Sequence, residues 1–176
     1  PRHLAVLTKA AEEADWSTPL PEGRGRGISL QESFGSIVAQ VVEVTVVNGQ
    51  LSVDRVVAVI DAGIAVAPDG IIAQLESGII YGLTAALHGE ITIENGSVVQ
   101  GNFDDYKSVR MSEAPVIESH VINSGHDIGG AGEPGTPGIA PALANAVYDA
   151  TGLRIRQLPI GNFDLNYQVE ESGVVA

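Results

Sequence analysis

An α+β fold, in which mixed sheet hairpins pack with a buried helix, is what this sequence predicts, and three observations predict it. Two β-branched runs flank Asn48-Gly49, the apolar segment from Gly70 to Leu87 has the length of a helix, and a Gly- and Pro-rich stretch leads into a helical pattern at Ile139. With 176 residues, 44% of them hydrophobic and 18% charged, the chain suits one ordinary domain with its own core. Residues 1–176 are read as one unit, with a helix and linker over 1–29, a core over 30–160 and a tail over 161–176.

Leu4, Leu7, Ala10, Ala11 and Ala14 recur at helical spacing, so a short amphipathic helix is expected from about His3 to Ala14. Pro21-Glu22-Gly23-Arg24-Gly25-Arg26-Gly27 is then read as a loop, since Gly and Pro disfavour any regular element. Ile37 to Val47 and Leu51 to Ile60 form the expected hairpin, turning at Asn48-Gly49, a pair that tolerates positive φ. Pro68 suits the first turn of a helix, and apolar residues on nearly every side of Ile71 to Leu87 predict an interior one. A second hairpin is expected from Glu90 to Ile93 and Ser97 to Val99 around Asn95-Gly96, and Val116 to Ile122 reads as a strand. Asn123 to Gly138 holds six glycines and two prolines, a loop that gives way to a helix over Ile139 to Thr151 with Gly152 as its cap.

A formal net charge of −13 repels a phosphate backbone, so nucleic acid is excluded as an expected partner. With no cysteine the chain can supply neither a disulfide nor thiolate ligands for an iron–sulfur cluster. The start at Pro1, without Met or an apolar signal core, suggests a piece of a longer polypeptide, and compartment stays open. Gln74, Glu76 and Ser77 fall inside the most apolar segment, where polar groups are costly in hydrocarbon, so a buried helix is preferred to a transmembrane one.

Gly129-Gly130-Ala131-Gly132-Glu133-Pro134-Gly135-Thr136-Pro137 places one carboxylate among residues with little side chain, just ahead of a helix. Bare backbone admits a ligand closely, a helix N-terminus attracts negative charge, and a partly desolvated Glu can serve as a general base. On composition alone a plain surface loop remains the more ordinary reading. Gly130, Gly132 and Gly135 also match G-x-G-x-x-G, but polar Asn123 to Asp127 precedes them and Pro134 and Pro137 interrupt them, so nicotinamide binding is rejected. Gln74 and Glu76 need hydrogen-bond partners in an apolar helix, either within the fold or, for Gln74, on a polar cofactor. His3, His88, His120 and His126 show no metal-ligand spacing, so no metal site is assigned, and His126-Asp127 is a minor candidate for influencing Glu133. Neither a nucleophile elbow nor a cysteine is available for acyl transfer.

The run Gly130-Ala131-Gly132-Glu133-Pro134-Gly135-Thr136-Pro137-Gly138-Ile139-Ala140-Pro141-Ala142-Leu143-Ala144-Asn145-Ala146 resembles a signature of the xanthine dehydrogenase and aldehyde oxidase family of molybdenum hydroxylases. The likeness extends to Asn102-Phe103-Asp104-Asp105-Tyr106, Arg110-Met111-Ser112-Glu113-Ala114-Pro115, Ala73-Gln74-Leu75-Glu76-Ser77-Gly78, Gly23-Arg24-Gly25-Arg26-Gly27 and Glu32-Ser33-Phe34-Gly35. It is most similar to the C-terminal part of large (beta) subunits of the isoquinoline 1-oxidoreductase type, whose relatives include membrane-associated bacterial aldehyde dehydrogenases. The resemblance implies part of a molybdopterin-binding domain, with Glu133 as catalytic base and Gln74 and Gly132 at the cofactor. It further implies water-dependent hydroxylation of a small-molecule N-heterocycle or oxidation of an aldehyde. The cofactor would be molybdopterin, plain or in its cytosine dinucleotide form.

As partners the resemblance implies the rest of the large subunit and a small (alpha) subunit that alone carries the iron–sulfur clusters. The family's other glycine-rich cofactor segments have no counterpart here, so the chain alone is expected neither to hold the cofactor firmly nor to be active. His is expected where Gln31 stands and Pro where Gly138 stands, both read as changes outside the chemistry. The rival reading is a non-catalytic structural or interaction domain that has kept the fold.

Overall fold

The computed structural model describes residues 1–166, so the final part of the expected tail, 167–176, lies outside the described residues. Its elements run α1 (Arg2–Glu13), β1 (Arg24–Ser33), β2 (Ser36–Val47), β3 (Gln50–Asp61), α2 (Pro68–Leu87), β4 (Ile93–Glu94), β5 (Ser97–Val98), β6 (Val116–Ile122) and α3 (Ile139–Thr151). A 3₁₀ turn at Ile160–Asn162 follows. Four strands form one mixed sheet in the order β1-β2-β3-β6, antiparallel except for the parallel pair β3 and β6. The expected α+β class with mixed hairpins is the observed one.

Both faces of the sheet are covered, which accounts for the unbroken burial of Ser36 to Val44. Strand side chains alternate, so Val38, Val42, Val56, Ala58 and Ile60 face α2 and α3, while Ile37, Ala39, Val41, Val57 and Val59 face α1. Val6, Ala10 and Ala14 of the amphipathic N-terminal segment complete that second core. At roughly 1.5–3 kcal/mol for each fully buried aliphatic side chain, these two cores dominate the stability of the sheet.

One expectation is overturned in β1. Arg24 to Gly27 was expected to be loop or linker, and it is strand, paired from Arg24 with Thr45 to Gly27 with Val42. The cause is alternation without side chains: a Cβ on Gly25 would collide with Ala146 O and Ala150 N, and one on Gly27 with Ala142 O and Ala146 N. The glycines thus let α3 lie directly on the strand backbone. Arg24 and Arg26 point to the opposite face, where Arg26 Nη2 meets the buried carboxylate of Glu43 at 2.7 Å. Arg55 lies 3.5 Å from the same carboxylate and pairs with Glu118 at 2.7 Å.

The first turn expected, Asn48-Gly49, has both residues at positive φ (50° and 72°), and Asn95-Gly96 repeats the pattern (50° and 81°) between strands of only two residues each. Gly152 closes α3 in the left-handed conformation. The helix α2 forms where expected, with length and composition sufficient for a membrane span. Here, however, its Ile71, Leu75, Gly78, Ile79, Gly82, Leu83 and Ala86 stripe packs into the core and its other face is open. Tyr81 on that face is 74% exposed, so the helix is less interior than its composition predicts.

Candidate active site

The segment 129–138 crosses the sheet end between the β1–β2 hairpin and α2. Glu133, Pro134, Gly135 and Thr136 make a turn closed by Thr136 N–H donating to Glu133 O at 3.0 Å. Pro134 presets its second position, and a residue ahead of proline is held in extended backbone, so the main chain of Glu133 has few alternatives.

Four side chains of the hairpin donate to carbonyls of this segment. Ser36 Oγ reaches Gly130 O at 2.6 Å, Gln31 Nε2 reaches Pro134 O at 2.6 Å, Gln40 Nε2 reaches Gly135 O at 2.6 Å, and Ser29 Oγ reaches Gly138 O at 2.7 Å. Register places all four on the same sheet face, since Ser29 opposes Gln40 and Gln31 opposes Val38. From the other side α2 offers a notch. A Cβ on Gly78 would come within 3.2 Å of Thr136 Oγ1, one on Gly82 would strike Ile139, and Gly135 itself is pressed to within 2.6 Å, at its Cβ position, of Leu75 O.

Phe34 and Gly35, the hairpin turn, both have positive φ (56° and 75°), and Phe34 O accepts Gly130 N–H at 2.8 Å. Gly129 N–H donates to Ala62 O at 2.9 Å, which ties the entry of the loop to the end of β3.

Glu133 is exposed and lines a cleft of about 490 Å³ together with Phe34, Ser77, Tyr81, Gly132 and Thr136. Gln74 lines a neighbouring recess of about 280 Å³, walled by Ile64, Val66, Ile71, Ile128 and Gly132. Gly132 belongs to both, and a Cβ there would have Gln74 Nε2, at 3.7 Å, as its near neighbour. The three residues singled out in the sequence therefore converge: the bare backbone of Gly132 separates a carboxylate on one side from an amide on the other.

Two sequence expectations change. Gln74 is exposed rather than buried, so no internal partner is required of it. Gln31, read as outside the chemistry, touches the residue that follows Glu133. His126 and Asp127 are exposed, pack through their carbonyls beside Gly63, and line neither recess. Among the described residues no group of three or more His, Asp or Glu could hold a metal ion. What the arrangement offers chemically is a proton acceptor, Glu133, at the edge of a partly apolar cleft, beside an amide that can both donate and accept.

Comparison with known proteins gives a consistent picture. Residues 8–115 match the family model described as molybdopterin cofactor-binding domain. The chain is 35% identical over 165 residues to the isoquinoline 1-oxidoreductase subunit beta of Brevundimonas diminuta, covering 91% of this chain and 21% of that protein. It is 32% identical over 172 residues to the membrane-bound aldehyde dehydrogenase (pyrroloquinoline-quinone) of Gluconacetobacter polyoxogenes, covering 93% and 22% respectively. Among solved structures, reconstituted CO dehydrogenase from Oligotropha carboxidovorans superposes with a TM-score of 0.62 at 26% identity, over 70% of this chain and 17% of that one. The chain thus spans about a fifth of the length of these relatives. Gln74 lies inside the family match, while Gly132 and Glu133 lie beyond its end.

Proposed function

We infer the function from one premise: this chain belongs to the molybdopterin cofactor-binding domain family. On that premise it is the C-terminal segment of the large subunit of a molybdenum hydroxylase. The enzyme would hydroxylate an N-heterocycle or oxidise an aldehyde, with water as the oxygen source. The observation that carries the reading is the convergence at Gly132, where the Glu133 carboxylate and the Gln74 amide line adjoining recesses.

The residues present suit a molybdopterin group. Gln74 is exposed on the wall of its recess, where an amide can serve both donors and acceptors of a pterin. Gly132 leaves backbone uncovered between the two recesses, with Gln74 Nε2, at 3.7 Å, the near neighbour of its Cβ position. When bound, the cofactor supplies the two-electron redox chemistry that protein side chains lack. Gln74 and the Gly132 backbone would hold and orient it. Glu133 would accept the proton released as the water-derived oxygen bonds to the substrate carbon, a role that the fixed backbone of the Pro134 turn supports. Phe34 and Tyr81 would give the cleft that Glu133 lines apolar walls.

The cytosine dinucleotide form of the cofactor and a small iron–sulfur subunit as electron acceptor belong to the same proposal. The name of the Gluconacetobacter relative points to pyrroloquinoline quinone instead, and metal analysis separates the two cofactors. The family match ends at residue 115, but the matches to the Brevundimonas and Gluconacetobacter proteins cover 91% and 93% of this chain and so include Glu133; the rival, a non-catalytic domain, is tested by the same measurements.

The test is molybdenum content and substrate-dependent dye reduction of the full-length large subunit with its small subunit, for wild type and Glu133→Gln. The proposal expects both to carry molybdenum and the variant to turn over roughly 100-fold slower or worse, the usual scale for losing a general base. A wild type without molybdenum sinks the cofactor reading. A molybdenum-loaded variant of normal activity sinks the base.

A further inference from the structure

We propose that Gln31 and Gln40 are positioning residues that aim the Glu133 carboxylate, a role that rests on the reading of Glu133 as the base. A buried amide beside Val38, Val42, Val56, Ala58 and Ile60 needs a reason. Gln40 is fully buried, and its Oε1 has no hydrogen-bond partner among the described residues, so an apolar residue of similar volume would suit the core better. What the glutamine supplies is one donated bond, from Nε2 to Gly135 O. Gln31 supplies its counterpart to Pro134 O.

These two carbonyls are those of the two residues that follow Glu133, so the bonds fix the planes of the peptides on which the Glu133-Pro134-Gly135-Thr136 turn is built. Three further constraints act on the same stretch. Ser36 holds Gly130 O, three residues ahead of Glu133. Pro134 restricts the backbone of Glu133 itself. The glycine notch of α2 closes over Gly135 and Thr136 from the opposite side. With the main chain held at both ends, only side-chain torsions are left to the carboxylate. A base of this kind works over a narrow range of distance to the reacting proton, and a displacement of about 1 Å can cost two orders of magnitude in rate.

Neither amide touches the cleft that Glu133 lines, and both act through the main chain. Gln31 is half-buried, so its replacement by a residue of similar length without a donor should leave the fold intact; Gln40, fully buried, is the riskier site.

The experiment compares wild type, Gln31→Met, Gln31→His, Gln40→Met and Glu133→Gln in the full-length large subunit with its small subunit. It reads kcat and KM per molybdenum bound, and amide hydrogen exchange across residues 129–138. Gln31→Met is expected to lower kcat per molybdenum roughly 10-fold or more with KM within about twofold, following the cost of misplacing a reacting group. The Thr136 amide, bonded to Glu133 O, is expected to exchange faster in the same variant. Gln31→His keeps an N–H donor and is expected to recover most of both. Gln40→Met is expected to behave like Gln31→Met wherever it folds.

Gln31→Met with normal kcat per molybdenum despite a loosened turn, or a fall in activity only in step with lost molybdenum, overturns the positioning role. Failure of Gln31→His to recover turnover overturns it as well. Glu133→Gln separates the two ideas: if it is inactive while Gln31→Met is normal, only the positioning role fails, and if it is active the base itself fails.

Discussion

Asp61 ends β3 at 1% exposure, and four hydrogen bonds converge on its carboxylate. Arg2 Nε and Nη2 donate at 2.8 and 3.1 Å, Gly63 N–H at 2.9 Å and Ser124 Oγ at 2.7 Å. Burial by itself would raise the pKa, but these donors together outweigh it and hold the group at about 2, below its usual 3.8. A depressed folded-state pKa means stability that is fully present above 3.8 and lost as pH falls through about 2. The shift corresponds to roughly 2 kcal/mol, taken at 1.36 kcal/mol for each pH unit. The next residue, Ala62, accepts the Gly129 N–H, so the end of β3 that this carboxylate holds also ties down the start of the segment that carries Glu133. Chemical unfolding of wild type and Asp61→Asn should therefore differ by roughly 2 kcal/mol at neutral pH, with the gap closing as pH falls from 4 to 2. A gap independent of pH would show that the carboxylate charge contributes nothing. At this scale the family resemblance, more than composition, singles out Glu133, Gln74 and Gly132, and the structure brings the three to adjoining recesses. The sequence is silent about Asp61 and Gln40 and about what Gln31 touches, because their partners lie 59 to 103 residues away.

Among the elements, β1 shows how a helix can be seated on a strand by removing side chains. Gly25 and Gly27 face Ala142, Ala146 and Ala150, which recur every four residues along one side of α3. Neither glycine has a positive φ, so sterics alone account for the requirement. Gly27→Ala would place a methyl group against Ala142 O and Ala146 N, backbone atoms that cannot step aside. Overpacking of that sort costs about 3 kcal/mol or more, and thermal unfolding of Gly27→Ala should show it. Gly96→Ala makes the contrast, since among the described residues nothing lies within 4 Å of its Cβ position and its positive φ of 81° is what opposes the change, worth about 1 kcal/mol. Equal losses at the two sites would contradict the close-packing account. This element also explains where sequence reading failed. Strands announce themselves by apolar alternation, and a strand whose inward residues are hydrogen atoms gives no such signal. The β2–β3 hairpin and both long helices were legible because β-branched runs, Asn-Gly and Pro at the first turn act locally.

The whole molecule combines a strong negative charge with an unusual amount of open apolar surface. Tyr81 is 74% exposed, Val66 76%, Phe103 88% and Met111 95%, and every residue from Ile91 to Val99 is exposed. Isolated domains seldom leave so much apolar surface uncovered. The relatives that this chain matches are several times longer, and in them further segments are available to cover such a face. Two opposing forces then govern the 176-residue chain by itself: apolar burial favours self-association, and a net charge of −13 opposes it. Salt decides between them, because charge repulsion is screened over about 10 Å at 0.1 M and about 3 Å at 1 M, whereas apolar contact is not weakened. Sedimentation velocity of the chain alone should show a monomer near 18.2 kDa at low salt and larger species as salt rises. Tyr81→Glu, on the open face of α2, should move that transition to higher salt. A chain that stays monomeric at 1 M salt would mean that its exposed apolar residues are too dispersed to form a docking face.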